Sequence, residues 1–141
     1  MTIESDTDGG SSRPIWNGLV GKDELGPYLV GGRCTSCGFI TLGVRDACPM
    51  CWSRNVMTPV PIGRTGRVYT CTVVYQAPEG YSAPFAVGYI DIEEGVRVFA
   101  HLANDEQSLR IDRPVQLTLA PLRKVEGSEW LIGPRYIAMG H

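Results

Sequence analysis

The second half of the chain alternates apolar and polar residues in short blocks, which is the period of half-buried β-strands. The clearest block is PVQLTLAPL at residues 114–122, in which single polar residues separate Val115, Leu117 and Leu119. Four further blocks are rich in β-branched and aromatic residues, as strands are. They lie at residues 67–76, 84–92, 96–103 and 130–138. The pattern therefore predicts five short strands.

The segments between these blocks carry turn signals. Glu93, Glu94 and Gly95 predict a tight hairpin, because glycine adopts positive φ most easily. Residues 105–112 predict either one helical turn or a loop. Five short strands joined by turns favour a mainly β fold in which residues 67–139 form a five-stranded OB-fold barrel. A small β-sandwich is the alternative.

The N-terminal part lacks this regularity. Residues 1–13 are poor in apolar side chains, so they predict a disordered tail or an arm that orders on a partner. Residues 14–29 carry apolar residues broken by three glycines and a proline, which predicts a short helical or irregular packing segment. Residues 58–66 contain two prolines and two glycines and predict a linker.

Between these segments, residues 30–57 hold two Cys-x-x-Cys pairs separated by ten residues. The pairs are CTSC, with Cys34 and Cys37, and CPMC, with Cys48 and Cys51. A two-residue gap lets both thiolates of a tight turn reach one tetrahedral ion, and the intervening chain brings in the second pair. The block therefore predicts an N-terminal, rubredoxin-like zinc ribbon.

Four thiolates would fill the coordination shell and leave no open position, so the predicted Zn²⁺ is structural. A rubredoxin-like iron site is an alternative, because iron also accepts four thiolates. A redox dithiol is a second alternative, although two matched pairs are hard to explain in that way.

Composition narrows the class of protein. The chain has 141 residues, 43% hydrophobic, and a net charge of −2, which fits one or two small domains without a global basic field. No apolar run approaches the roughly 18 residues that a membrane helix needs, and the acidic N-terminus lacks the blocks of a signal peptide. Cysteines in metal spacing indicate a reducing compartment. We therefore expect a soluble cytoplasmic protein.

The sequence offers no convincing catalytic group of its own. His101 lies in a strand block, and a lone histidine there is more often structural. Cys71, the fifth cysteine, lies among apolar strand residues and is read as an inert buried thiol. A Cys71–His101 dyad is conceivable if neighbouring strands bring the two together. Glu93 and Glu94 are adjacent turn residues, which normally point apart into solvent.

Charge is unevenly distributed. Residues 31–75 hold five arginines against one aspartate, a net charge of +4, whereas residues 76–112 have a net charge of −5. Arginine binds phosphate with a fork of donors. The basic end therefore indicates a phosphorylated ligand or an acidic partner surface, with a solvated face as the plain alternative.

The order of these features resembles a zinc-ribbon/OB-fold family, long filed as a domain of unknown function, whose members occur beside thiolase-type enzymes. The resemblance covers roughly residues 14–138. Its specific part couples the paired cysteines to GRVYT at 66–70, APF at 83–85 and EGVR at 94–97. The resemblance implies a stand-alone, non-catalytic accessory subunit that forms a hetero-oligomer with a thiolase or thiolase-like aldolase. The partner would supply the nucleophile.

The resemblance also implies that acyl-CoA is a ligand shared with that partner. Together with the local charge it suggests that Arg33, Arg45 and Arg67 hold the phosphates of coenzyme A, with Phe39 or Trp52 stacking on adenine. Support of the partner's folding is a further implied role. The alternative function is a module that binds single-stranded nucleic acid, for which the acidic barrel hairpins are a poor surface.

Overall fold

A computed structural model of the chain describes residues 12–14, 19–76, 78–81, 83–125 and 129–139. These residues form ten β-strands and no helix. The strands are β1 Ser12–Pro14, β2 Val20–Asp23, β3 Gly26–Cys34, β4 Ile40–Leu42, β5 Met57–Ile62, β6 Thr65–Val74, β7 Phe85–Ile92, β8 Arg97–Leu102, β9 Pro114–Val125 and β10 Glu129–Ala138. The described residues contain no helix that is long and apolar enough to cross a membrane.

Strands β6 to β10 form a closed barrel. Strands β6, β7 and β8 are successive antiparallel neighbours, β8 pairs in parallel with β10, and β9 pairs with both β10 and β6. The five strands predicted from the alternating pattern are confirmed, and so is the five-stranded OB-type barrel. The sandwich alternative is wrong, because β9 closes the ring instead of leaving two separate sheets.

Closure depends on local bends in the long strands. The register shifts between Val68 and Thr70 in β6 and between Leu131 and Ile132 in β10, and such irregularities bend a strand. Gly88 of β7 lies against β6, and a side chain there would meet the carbonyl oxygen of Thr70. Glycine at this position lets the sheet curl tightly.

One hydrophobic core joins the barrel to the N-terminal sheet. The barrel contributes alternate strand residues whose side chains point inward, and the predicted inward positions Val115 and Leu117 are both buried. Val20, Leu29 and Ile62 of the N-terminal sheet belong to the same cluster. Residues that are remote in sequence therefore bury their apolar surface together.

The N-terminal sheet differs from the sequence-based prediction. Over residues 14–29 we expect a short helix or an irregular segment, but β2 and β3 form an antiparallel hairpin that turns at Gly26, where φ is 106°. Glycine allows close packing here, because a side chain at Gly21 would collide with the Tyr28 ring. The apolar residues thus serve a sheet, and their partners lie far along the chain.

The predicted linker is also partly a strand. Strand β5 covers residues 57–62 and pairs antiparallel with β3, with Pro59 opposite Gly32 and Pro61 opposite Val30. Strand β5 pairs with no other strand among the described residues, and prolines without an N–H are tolerated in such edge strands. Only residues 63 and 64 separate β5 from the barrel.

The extreme N-terminus adds one short element. Strand β1 pairs in parallel with residues 130–132 of β10. Its first two residues fall within the tail that is predicted to be disordered, whereas residues 1–11 lie outside the described part of the chain. Trp16 lies outside it as well.

Candidate metal centre and its joint to the barrel

The first cysteine pair lies on a tight turn that begins at Cys34, the last residue of β3. Gly38 N–H donates to the Cys34 carbonyl at 2.9 Å, and Cys34 N–H donates to the Phe39 carbonyl at 2.9 Å. Gly38 has a φ of 83°, a value that glycine adopts at little cost because it has no Cβ. The Cys37 amide also donates to Cys34 Sγ at 3.3 Å. The backbone therefore folds around the first sulfur.

The second pair repeats this geometry. Trp52 N–H donates to the Cys48 carbonyl at 2.8 Å, and Cys48 N–H donates to the Ser53 carbonyl at 3.0 Å. The Met50 amide donates to Cys48 Sγ at 3.4 Å. Trp52 takes the position that Gly38 has in the first turn, with a φ of 65° although it is not glycine. The two turns are thus equivalent zinc knuckles.

The four sulfurs converge on one point. The Cys34 and Cys51 Sγ atoms are 3.6 Å apart, as are those of Cys37 and Cys48, and all four lie within 4.8 Å of one another. A tetrahedral ion with metal–sulfur bonds of about 2.3 Å requires sulfurs roughly 3.8 Å apart. The described residues thus fit a four-thiolate metal site.

Local hydrogen bonds favour the thiolate form at two of these four sulfurs, whereas the pKa of Cys37 is raised to about 12 by burial and the neighbouring thiols. The bond from the Cys37 amide lowers the pKa of the Cys34 thiol below its ordinary value. Bonds from the side chain and backbone of Ser53 lower the pKa of Cys51 to about 6. Thiolates are the form of cysteine that binds metal, so the lowered pKa values of Cys34 and Cys51 favour metal binding at these two positions.

The joint between the ribbon and the barrel centres on Gly63, which follows β5. Tyr136, fully buried in the barrel, donates its hydroxyl to the Gly63 carbonyl at 2.6 Å. The Gly63 amide donates to Glu94 Oε1 at 3.0 Å. Both polar groups of this peptide position are therefore held by barrel side chains, and burial raises the pKa of Tyr136.

Arg64 links the β2–β3 hairpin to the same joint. Its guanidinium makes two hydrogen bonds to the Asp23 carboxylate, at 2.8 and 2.5 Å, and one to the Gly26 carbonyl at 3.0 Å. The group also lies 5.0 Å from the centre of the Tyr28 ring. The hydrogen bonds from Arg64 hold the pKa of Asp23 below its ordinary value. The hairpin is thus tied to the chain segment that enters the barrel.

Sequence reasoning missed this joint. Glu93 and Glu94 are predicted to be solvated, yet Thr65 donates its hydroxyl to Glu93 at 2.5 Å and Glu94 accepts from Gly63. The sequence of residues 93–95 predicted the turn, but it did not predict which groups would hydrogen-bond to the two carboxylates. Those partners lie about thirty residues earlier in the chain.

The five residues predicted to bind coenzyme A do not all lie together. Arg33 lines an open cavity of about 600 Å³ beside the first knuckle, bounded also by residues 34–38. Phe39 is half-buried in that knuckle, while Arg45 and Trp52 are exposed on the ribbon. Arg67 lies on the barrel, donates to the Asp112 carbonyl at 3.0 Å and lines a different cavity. Arg33 and Arg67 therefore line separate cavities.

The conceivable Cys71–His101 dyad is wrong. Cys71 pairs with Gly88, which pairs with Ala100, whereas His101 pairs with Val87. Directly paired residues share a face and successive residues alternate. Cys71 therefore points toward the core, and His101 points outward on the other face of the barrel wall.

Comparison with known proteins identifies both parts of the chain. Residues 27–56 match the family model described as the rubredoxin-like zinc ribbon domain of ChsH2, and residues 59–120 match its C-terminal OB-fold domain. The match to a zinc ribbon and the converging sulfurs support structural zinc at the four cysteines.

Several characterised proteins are similar over most of this chain. The benzoylsuccinyl-CoA thiolase subunit BbsA of Geobacter metallireducens is 38% identical over 104 residues, which cover 74% of this chain and 70% of that protein. BbsA of Thauera aromatica is 36% identical over 101 residues, covering 72% and 69%. A DUF35 domain-containing scaffold protein of Methanocaldococcus jannaschii is 32% identical over 78 residues, covering 54% and 55%.

A solved structure shares the fold. It is the Ltp2-ChsH2(DUF35) aldolase, which superposes with a TM-score of 0.63 at 25% sequence identity. The superposition covers 79% of this chain and 84% of the matched chain.

Proposed function

This chain belongs to the ChsH2 family of zinc-ribbon and OB-fold proteins, and on that premise we propose that it is a zinc-containing accessory subunit of a thiolase-type complex. The observation that carries the proposal is the similarity to two benzoylsuccinyl-CoA thiolase subunits. That similarity extends over more residues than either the ribbon or the barrel contains. The likeness to a chain of the Ltp2-ChsH2(DUF35) aldolase supports a thiolase-like partner in a hetero-oligomer.

The metal centre suits a supporting role. Cys34, Cys37, Cys48 and Cys51 would hold zinc in a shell with no open position, and the ion would supply a crosslink between the two knuckles. The chemistry of the complex then belongs to the partner, which brings the nucleophile. The chain contributes a rigid ribbon, braced against its barrel at Gly63 and Arg64.

The finer part of the proposal concerns the ligand. Coenzyme A carries a pyrophosphate and a 3′-phosphate, and Arg33 beside the open cavity at the first knuckle is suited to bind one of them. Arg45 is a second candidate on the ribbon, with Phe39 or Trp52 as a surface for adenine. Arg67 lines a separate cavity beside Asp91 and Glu93, so its contribution to the same phosphates is the weakest of the three.

The test is co-expression with a thiolase-like protein encoded beside this chain. We expect the two to co-purify, the isolated chain to contain zinc without cleaving any 3-oxoacyl-CoA, and the complex to turn it over. The partner is also produced alone, and its soluble yield and activity are compared with those obtained by co-expression. This comparison measures how far the chain supports the folding of its partner. Turnover by the isolated chain would refute the accessory role.

Matched variants separate ligand binding from assembly. Arg33→Gln should raise the KM of the complex for acyl-CoA about tenfold, as expected for loss of a charged hydrogen bond, while Arg54→Gln on the same ribbon should not. An unchanged KM in the Arg33 variant would remove this residue from the ligand site and leave the accessory role standing.

A further inference from the structure

The outer wall of the barrel contains a small pocket that the ribbon does not touch. The pocket has a volume of about 180 Å³ and lies where β7, β8, β9 and β10 come together. The residues that line it include Phe85, His101, Asn104, Trp130 and Arg135. The proposed role as an accessory subunit makes no use of this pocket.

Aromatic rings form one side of the pocket. Phe85 and His101 have ring centroids 5.3 Å apart, and Tyr81 stacks on both of them, at 5.3 Å from Phe85 and 5.9 Å from His101. Burial, together with the charge of Arg135, lowers the pKa of His101, so its ring is neutral at pH 7. Trp130 also lines the pocket. The walls thus present flat, uncharged rings.

Positive charge lies against these rings. Arg135 pairs with His101 along the parallel β8–β10 contact, and its Nε is buried without a hydrogen-bond partner among the described residues. The Nε of Arg123 is likewise buried without a hydrogen-bond partner in the described part of the chain, and the guanidinium of Arg123 lies 5.9 Å from the centre of the Tyr81 ring. The guanidinium of Arg135 in the pocket wall is suited to bind an anion, because arginine donates charge-assisted hydrogen bonds in a fixed fork.

From this arrangement we propose that the pocket binds a small planar ring that carries a carboxylate or a phosphate group. The anionic group pairs with Arg135, the ring packs against Phe85 and His101, and Asn104 offers a further polar contact. Pockets that enclose drug-sized ligands measure roughly 300–1,000 Å³. At about 180 Å³ this pocket has room for a ring and an acid group, so a longer ligand such as a nucleotide would leave its remaining atoms outside the pocket.

The experiment uses the full zinc-loaded chain and four probes in isothermal titration: benzoate, cyclohexanecarboxylate, adenosine 5′-monophosphate and inorganic phosphate. We expect benzoate or the nucleotide to bind in the micromolar to millimolar range, and to shift the NMR signals of the His101 ring and the Trp130 indole N–H. Benzoate binding alone identifies an aromatic acid as the ligand, and nucleotide binding alone identifies a base with its phosphate.

Arg135→Gln should weaken binding of the active probe by about tenfold or more, because a charged hydrogen bond is lost. Arg110→Gln, which changes an exposed arginine paired with Glu106, is the matched control and should not alter it. Trp130→Leu, which keeps apolar volume without the ring, gives a second measurement if the Arg135 variant does not fold.

Three results would overturn the proposal. One is the absence of binding by any probe at about 10 mM, which corresponds to a free energy weaker than roughly −3 kcal/mol. Another is equal binding of cyclohexanecarboxylate and benzoate together with no preference for the nucleotide over phosphate. The third is salt-dependent binding of single-stranded DNA at the same residues without binding of the small probes, which would indicate a nucleic-acid surface.

Discussion

At the scale of single residues, Trp52 is the least expected feature of the metal centre. It holds the left-handed backbone conformation that Gly38 holds in the other knuckle, with φ values of 65° and 83°. Its side chain is 78% exposed, so burial within this chain does not offset the conformational cost.

Trp52→Gly should be more stable than Trp52→Ala by about 1 kcal/mol, because only alanine keeps a Cβ in the left-handed region. Thermal unfolding of the two zinc-loaded variants measures the difference. Arg54→Gly and Arg54→Ala form the control pair on the same loop, and there alanine should be the more stable. Equal stability of the two Trp52 variants would mean that the knuckle relaxes without strain.

At the scale of elements, the joint between β5 and β6 decides how the ribbon and the barrel are held together. Gly63 donates to Glu94 of the β7–β8 turn and accepts from Tyr136 of β10. A side chain at Gly63 would approach the Tyr136 hydroxyl to 2.8 Å. The position therefore needs glycine for two reasons, its φ of 73° and the close approach of the tyrosine.

Tyr136→Phe should lower the free energy of unfolding by about 1–3 kcal/mol at pH 7, because the Gly63 carbonyl loses its buried donor. Urea unfolding monitored by circular dichroism measures the change. Tyr75→Phe, at a tyrosine that is 75% exposed, is the control and should change little. A Tyr136 variant as stable as the wild type would mean that the hydroxyl does not brace the joint.

The stabilities of the wild type and of Tyr136→Phe should depend differently on alkaline pH. Burial raises the pKa of Tyr136 in the folded chain, so the unfolded chain loses this proton first, near pH 10. The stability that Tyr136 contributes is complete below pH 10 and declines as the pH rises further. The difference between the wild type and Tyr136→Phe should therefore shrink above pH 10, and a growing difference would contradict the buried neutral hydroxyl.

At the scale of the whole molecule, the ribbon and the barrel share one core. Val20, Leu29 and Ile62 pack in the same cluster as Val68 and Tyr136. The knuckles lie at the other end of the N-terminal sheet and are ordered by turn hydrogen bonds and the four cysteines. Metal and hydrophobic burial thus stabilise different parts of the chain.

Removal of zinc with a chelator should therefore loosen the knuckles and spare the barrel. Amide hydrogen exchange should lose protection over residues 34–56, where bonds such as Cys48 N–H to Ser53 depend on the knuckle, and keep it in β6 to β8. Addition of zinc should restore the first set, which serves as the control. Equal loss across the barrel strands would show instead that zinc supports the whole fold.

Much of the architecture could be predicted from local patterns. The cysteine spacing predicted the ribbon because each knuckle is closed by hydrogen bonds within five residues, as from Cys48 to Ser53. The five barrel strands followed from alternation, since Val115 and Leu117 bury alternate positions of one strand. The β2–β3 hairpin was not predictable in this way, because its apolar residues pack on Ile62 and the barrel.

The sequence by itself determined the metal ligands, the strand content and the mainly β class, because these depend on near neighbours along the chain. Only the tertiary structure decided the ribbon–barrel joint, the separation of Cys71 from His101, and the aromatic pocket around Arg135. The hydrogen bond from Tyr136 to Gly63 spans 73 residues. Barrel closure creates such contacts by bringing distant strands together, and no local pattern encodes them.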